Sequence, residues 1–337
     1  MKNLYRIILF FLGLLLPYAV SAHEAYVLPR AQFEAGLRQI GPNVFISLHD
    51  PGNLRVFFWL SLGILAVLTA NFFFSRTKLA LKLSRGLEHF SHFGPWLIRI
   101  AISAAFFFSA ASNTFLGPEI QLDSLPSGPL LRILLFLISF LFLFGVLTEL
   151  AAILALIIFI AAAASYHWYM LTYLNYLGKL ILLILLGARE WWSVDNRFFG
   201  NAIRFPAIRK YEMDIVRIFY GIGLAYSAID IKLLHSSLTI DVVNQYHLTR
   251  FYLLFPHDPI FVTLGAAFAE FVIGLFIALG FQLRLTVLVS LFYITLSLFF
   301  FRELVWPHFL LYGISLSLLI TPQKLSLDNW LIKKFKL

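Results

Sequence analysis

Long apolar runs separated by short polar breaks dominate this chain. Val56–Phe74 contains no charged residue, and runs such as Leu130–Phe144 lack the regular polar face of a soluble amphipathic helix. Runs of this kind approach the roughly 20 residues needed to cross a hydrocarbon core. Turn residues divide them into helices over about Leu54–Phe74, Trp96–Phe115, Leu130–Phe144, Leu150–Ser165, Tyr173–Gly187, Ile215–Asp230, Pro259–Gly280, Leu283–Phe300 and Trp306–Ile320. The pattern predicts an all-α, polytopic membrane protein whose first partner is the lipid bilayer.

The beginning of the chain has the layout of a secretory signal. Lys2 and Arg6 precede an apolar stretch, Ile7–Leu16, and Val20-Ser21-Ala22 forms a small-residue cleavage site. Cleavage removes residues 1–22 and makes His23 the mature N-terminus; an uncleaved first helix is the alternative. Either way residues 23–53 lie outside. Basic residues then fall in alternate loops: Arg76, Lys78, Lys82 and Arg85; Arg189, Arg197, Arg204, Arg209 and Lys210; and Lys333, Lys334 and Lys336. Positive residues favour the cytoplasmic side. The expected location is therefore a bacterial plasma membrane, with the mature N-terminus outside and the C-terminus in the cytoplasm.

Composition adds exclusions. Of 337 residues, 61% are hydrophobic and 13% charged, about half the charged share of a soluble domain. The net charge of +9 resides in alternate loops and not on a basic surface interleaved with aromatics, so no nucleic-acid partner is expected. The chain has no cysteine, which excludes disulfides, thiol redox cycling, cysteine-held iron–sulfur clusters and c-type haem attachment. It also lacks a Walker loop, a Rossmann glycine pattern, HExxH and GxSxG.

Two parts of the chain match each other. Gly145 and Gly280 are 135 residues apart, as are Gly178 and Gly313. Leu97-Ile98-Arg99-Ile100 matches Ile215-Val216-Arg217-Ile218, and Ser193-Val194-Asp195-Asn196 matches Ser326-Leu327-Asp328-Asn329. Each half should hold four helices in the same orientation, as parallel repeats do. The expected division is a flanking helix and basic loop over 54–95, repeats over 96–196 and 214–330, a linker over 197–213 and a basic tail over 331–337.

The second half carries Arg217-x3-Gly221-x10-Lys232 and Glu270-x3-Gly274-x5-Gly280-x3-Arg284, and closes with His308 through Asp328. In these features it resembles the DoxX/DoxD-like family of bacterial four-helix membrane proteins. The first half departs from the pattern, with Leu135 where the second has Glu270 and no lysine matching Lys232. The resemblance implies two DoxX-like four-helix bundles and a subunit of a membrane redox complex, touching quinone and working beside other membrane or periplasmic subunits.

Glu270 is the foremost candidate site residue. A charged carboxylate inside a membrane is costly, so it must be protonated, paired or set against a polar cavity. It could carry protons, or it could hydrogen-bond structurally to Tyr226 or Ser227, with Arg217 a further structural partner. Lys179 could pair with a carboxylate or snorkel to an interface. Glu149, the counterpart of Arg284, reads as a turn charge. Lys232, His235, His257 and His308, with Asp230, His247, Arg250 and Asp258, form an outer-face cluster, read first as solvated and otherwise as an anion, metal or partner site. A mature N-terminal His23 offers an amine–imidazole chelate for copper, with His49 as another nitrogen donor, or it merely follows the cleavage site. Three functions compete: a redox-complex subunit, a proton-linked transport or export component, and periplasmic copper handling.

Overall fold

Local capping chemistry sets many of the helix ends in the computed structural model, which describes residues 24–187, 192–199, 205–250 and 257–335. Asp50 caps the Pro51–Phe74 helix by accepting the Asn53 amide at 3.0 Å, with proline in the first turn where no amide is missed. Thr77 caps Lys78–Glu88 in the same manner. Gly145 and Gly280 terminate Gly128–Phe144 and Pro259–Leu279 in the left-handed conformation that glycine adopts without steric penalty.

Five segments among the described residues are long and apolar enough to cross a membrane: Pro51–Phe74, Ser91–Ala111, Thr148–Leu186, Pro259–Leu279 and Leu283–Phe301. Gly128–Phe144 and Trp306–Ile320 are apolar but shorter. These helices are compatible with a multi-pass membrane protein. Leu54, Phe58, Trp59 and Leu65 are all exposed on Pro51–Phe74, a surface suited to lipid and poorly suited to water.

Among the described residues the fold is all-helical, as expected, apart from one short pair of strands. Thr114–Phe115 pairs antiparallel with Gly117–Gln121 in a small hairpin. Asn113 and Leu116 take positive φ there, and the chain folds back so that buried backbone beside Phe115 and Ile120 is paired. The helix expected over Ile215–Asp230 does not stop at Asp230. The helix Glu212–Ser227 continues as a π-helical stretch, Ala228–Leu234, followed by another helix, Ser236–Gln245.

The fold divides into two compact units. One comprises the described residues of Met1–Ser75, Ser227–Val272 and Tyr293–Glu303; the other, those of Arg76–Tyr226, Ile273–Phe292 and Leu304–Leu337. In the first, the segment after residue 23 is an integral part of the packing. Phe33 is buried, Gln32 donates to Asp241 at 2.8 Å, and the Gly41 amide donates to the Leu234 carbonyl at 2.7 Å.

The second unit builds the same corner twice. Gly145 presents its carbonyl to the Ser193 hydroxyl and the Asp195 amide, both at 2.9 Å. The Asp195 carboxylate accepts the Leu147 and Thr148 amides at 2.8 and 2.9 Å. The Gly280 carbonyl likewise accepts the Asp328 amide, and Asp328 accepts the Gln282 and Leu283 amides at 2.9 and 3.3 Å. Behind each corner a buried arginine donates to a backbone carbonyl, Arg99 to Trp192 and Arg217 to Leu325. The matching Arg, Gly and Ser-x-Asp-Asn positions in the sequence are the parts of this corner.

Candidate functional site

Glu270 is the one charged residue of the Pro259–Leu279 helix, about 16 Å from its start at 1.5 Å per residue. Such a group needs counter-charge, and Lys232 supplies it: Nζ lies 3.1 Å from Glu270 Oε2. The same ammonium lies 2.8 Å from Glu24 Oε1. Thr239, on Ser236–Gln245, donates its hydroxyl to that oxygen at 2.6 Å. All four residues belong to the first unit.

Lys232 was expected on a solvated outer face, and the structure contradicts this. Its side chain is 2% exposed, as is that of Glu24. The helix expected to end at Asp230 continues through Lys232 as a π-helical stretch, and there the lysine is buried in the first unit. Periodicity in the sequence cannot reveal such a stretch. Glu24 was missed altogether, although a signal existed: a lysine predicted near the end of an apolar helix requires a counter-charge if it is buried.

Two carboxylates share one ammonium in this cluster, so the three ionised side chains carry one net negative charge. Burying ions costs several kcal/mol each before attraction and hydrogen bonds offset it. Glu270 is the least enclosed of the three, with 13% of its side chain exposed against 2% for Lys232 and Glu24.

The other expected sites separate. His235 is half-buried, with Nδ1 2.8 Å from the Asp230 carbonyl oxygen, and His257 is exposed. His308 is buried, with Nδ1 3.0 Å from the Leu304 carbonyl oxygen, and it belongs to the second unit. The outer-face grouping of Lys232, His235, His257 and His308 is therefore not a single solvated cluster. Tyr226 is half-buried and is assigned to the second unit, while Ser227 is buried in the first. Lys179 is buried and pairs with Glu212 at 3.0 Å, the carboxylate option of the two considered. Arg217 turns to the Ile277 carbonyl at 2.7 Å and to Asp214 at 3.7 Å. His49 is exposed, and His23 lies outside the described residues. Among the described residues no group of three or more histidines and carboxylates is arranged to hold a metal.

Another buried carboxylate occupies the hairpin. Glu119 Oε1 accepts the Tyr169 hydroxyl at 2.8 Å and the Tyr173 hydroxyl at closer range. Burial pushes this carboxyl above its ordinary value, and the two tyrosine hydroxyls pull it partly back.

The chain matches no family model, no curated protein and no solved structure. Function must then be argued from the chemistry of the site.

Proposed function

We propose that this chain is a DoxX-like integral membrane component that binds and releases a proton at Glu270, within the cluster it forms with Lys232 and Glu24. The observation that carries the reading is the sharing of one buried ammonium between two carboxylates, one of them on an otherwise uncharged apolar helix. A simple ion pair needs a single carboxylate. The second gives the cluster a place for a proton, and Glu270 is its least enclosed member. Proton-linked transport requires such a group, and so does a redox subunit beside a quinone, because quinone reduction takes up protons. The family resemblance favours the redox assembly as the setting.

Infrared titration of the full-length protein in lipid tests this reading. A protonated-carboxyl band should rise and fall with pH, and a component of it that survives Glu119→Gln should disappear in Glu270→Gln, a variant that should fold and insert normally. The activity of the native assembly should disappear with it. If Glu270→Gln leaves the titrating carboxyl band and the activity unchanged, the cluster is a structural staple and the proposal is wrong.

A further inference from the structure

The helix Lys78–Glu88 begins four residues beyond the last residue of the Pro51–Phe74 segment and divides into three faces. Ala80, Ser84 and Glu88, spaced at i, i+4 and i+8, form the half-buried face. Arg284 holds this face by donating to Ser84 and, at 2.9 Å, to Glu88. Leu79, Leu83 and Leu87 form a second face and are exposed, although they are large and apolar. Lys78, Lys82 and Arg85 form the third. With Leu81 they line an open concavity of about 220 Å³. Among the described residues Lys78 and Lys82 have no ion-pair partner.

We infer that this concavity binds the phosphate headgroup of an anionic phospholipid. Three cations line this one concavity, which suits an anionic ligand. The exposed leucine face beside them needs apolar cover, and a phospholipid supplies both charge and acyl chain in a single molecule. A free phosphate would satisfy the cations and leave the leucines in water. Helices that lie in the membrane interface combine a basic face and an apolar face in this way. The Arg284 contacts fix the helix so that its remaining two faces stay presented.

Native mass spectrometry of the full-length protein, stripped of lipid in a neutral detergent, tests the site. Phosphatidylglycerol should be retained in preference to phosphatidylcholine. Each basic residue near an anionic surface adds about 1 kcal/mol, so Lys78→Gln, Lys82→Gln and Arg85→Gln together should cut that preference at least about tenfold. Lys78→Arg with Lys82→Arg should keep it. Leu79→Ser with Leu83→Ser should weaken retention of phosphatidylglycerol while leaving the charges in place. The altered side chains are exposed, and size-exclusion profiles should match the unmodified protein. Equal retention of both lipids, or a preference that survives the triple substitution, would overturn the inference. Displacement by equimolar inorganic phosphate would overturn it too, by assigning the site to a free anion.

Discussion

Glu24 and Lys232 are separated by 208 residues in the chain, and their charged atoms meet at 2.8 Å in the interior of the first unit. This pair ties the segment after the expected cleavage site to the helix that supplies the cation for Glu270. The proposed proton site exists only once the N-terminal segment has docked.

Lys232→Met removes the shared cation and leaves two carboxylates buried together. Stability should fall by about 3–5 kcal/mol, the range for breaking a buried ion pair from one side. Adding Glu24→Gln and Glu270→Gln should restore most of the loss, which thermal unfolding in detergent would register. If Lys232→Met unfolds like the parent protein, the pairing is not formed.

Gly145→Ala and Gly280→Ala should be destabilising by similar amounts. Both glycines have positive φ, 64° and 66°, a conformation costing about 1–2 kcal/mol for a residue with a Cβ. A methyl group would also fall 2.4 Å from Arg99 Nη1 in one case and 2.9 Å from Arg217 Nη1 in the other. Gly63 faces open space, so Gly63→Ala provides the control and should be neutral or slightly stabilising. Unequal losses at the two corners would argue against their equivalence.

Gly221 and Gly274 let two helices approach backbone to backbone. A Cβ on Gly221 would lie 2.4 Å from the Gly274 carbonyl oxygen, and one on Gly274 would lie 2.5 Å from the Ala225 amide nitrogen. Small residues permit such crossings, where packing rather than water drives association. Gly221→Val should cost at least the roughly 1–3 kcal/mol of an overpacked core and lower the yield of monodisperse protein. Normal yield with Val at both positions would show that the crossing is looser than this geometry.

Glu119 should make stability depend on pH. Its carboxyl is raised above the ordinary value of 4.5, chiefly by burial, so the folded protein holds this proton more tightly than the unfolded chain. The resulting stabilisation is fully present below the unfolded value and is lost as pH rises through the folded value. The unfolding temperature should therefore decline with pH across that window, and Glu119→Gln should flatten the decline. A profile unchanged by the substitution would exclude Glu119 as its source.

The sequence by itself determined where the apolar helices lie, because the long uncharged runs and the Asp50, Gly145 and Gly280 boundaries are local features. It also marked the parts of both Arg–Gly–Asp corners, since Gly145 and Asp195 have counterparts 135 and 133 residues further on and Arg99 has one 118 residues further on. Only the tertiary structure decided the environment of Lys232. A π-helical stretch continues the helix past Asp230 and carries this lysine, and a docked segment more than two hundred residues away brings Glu24 to its ammonium. Helical periodicity records which positions are apolar along one element. It carries no record of which distant charge will neutralise a buried one, because that pairing depends on how the elements pack.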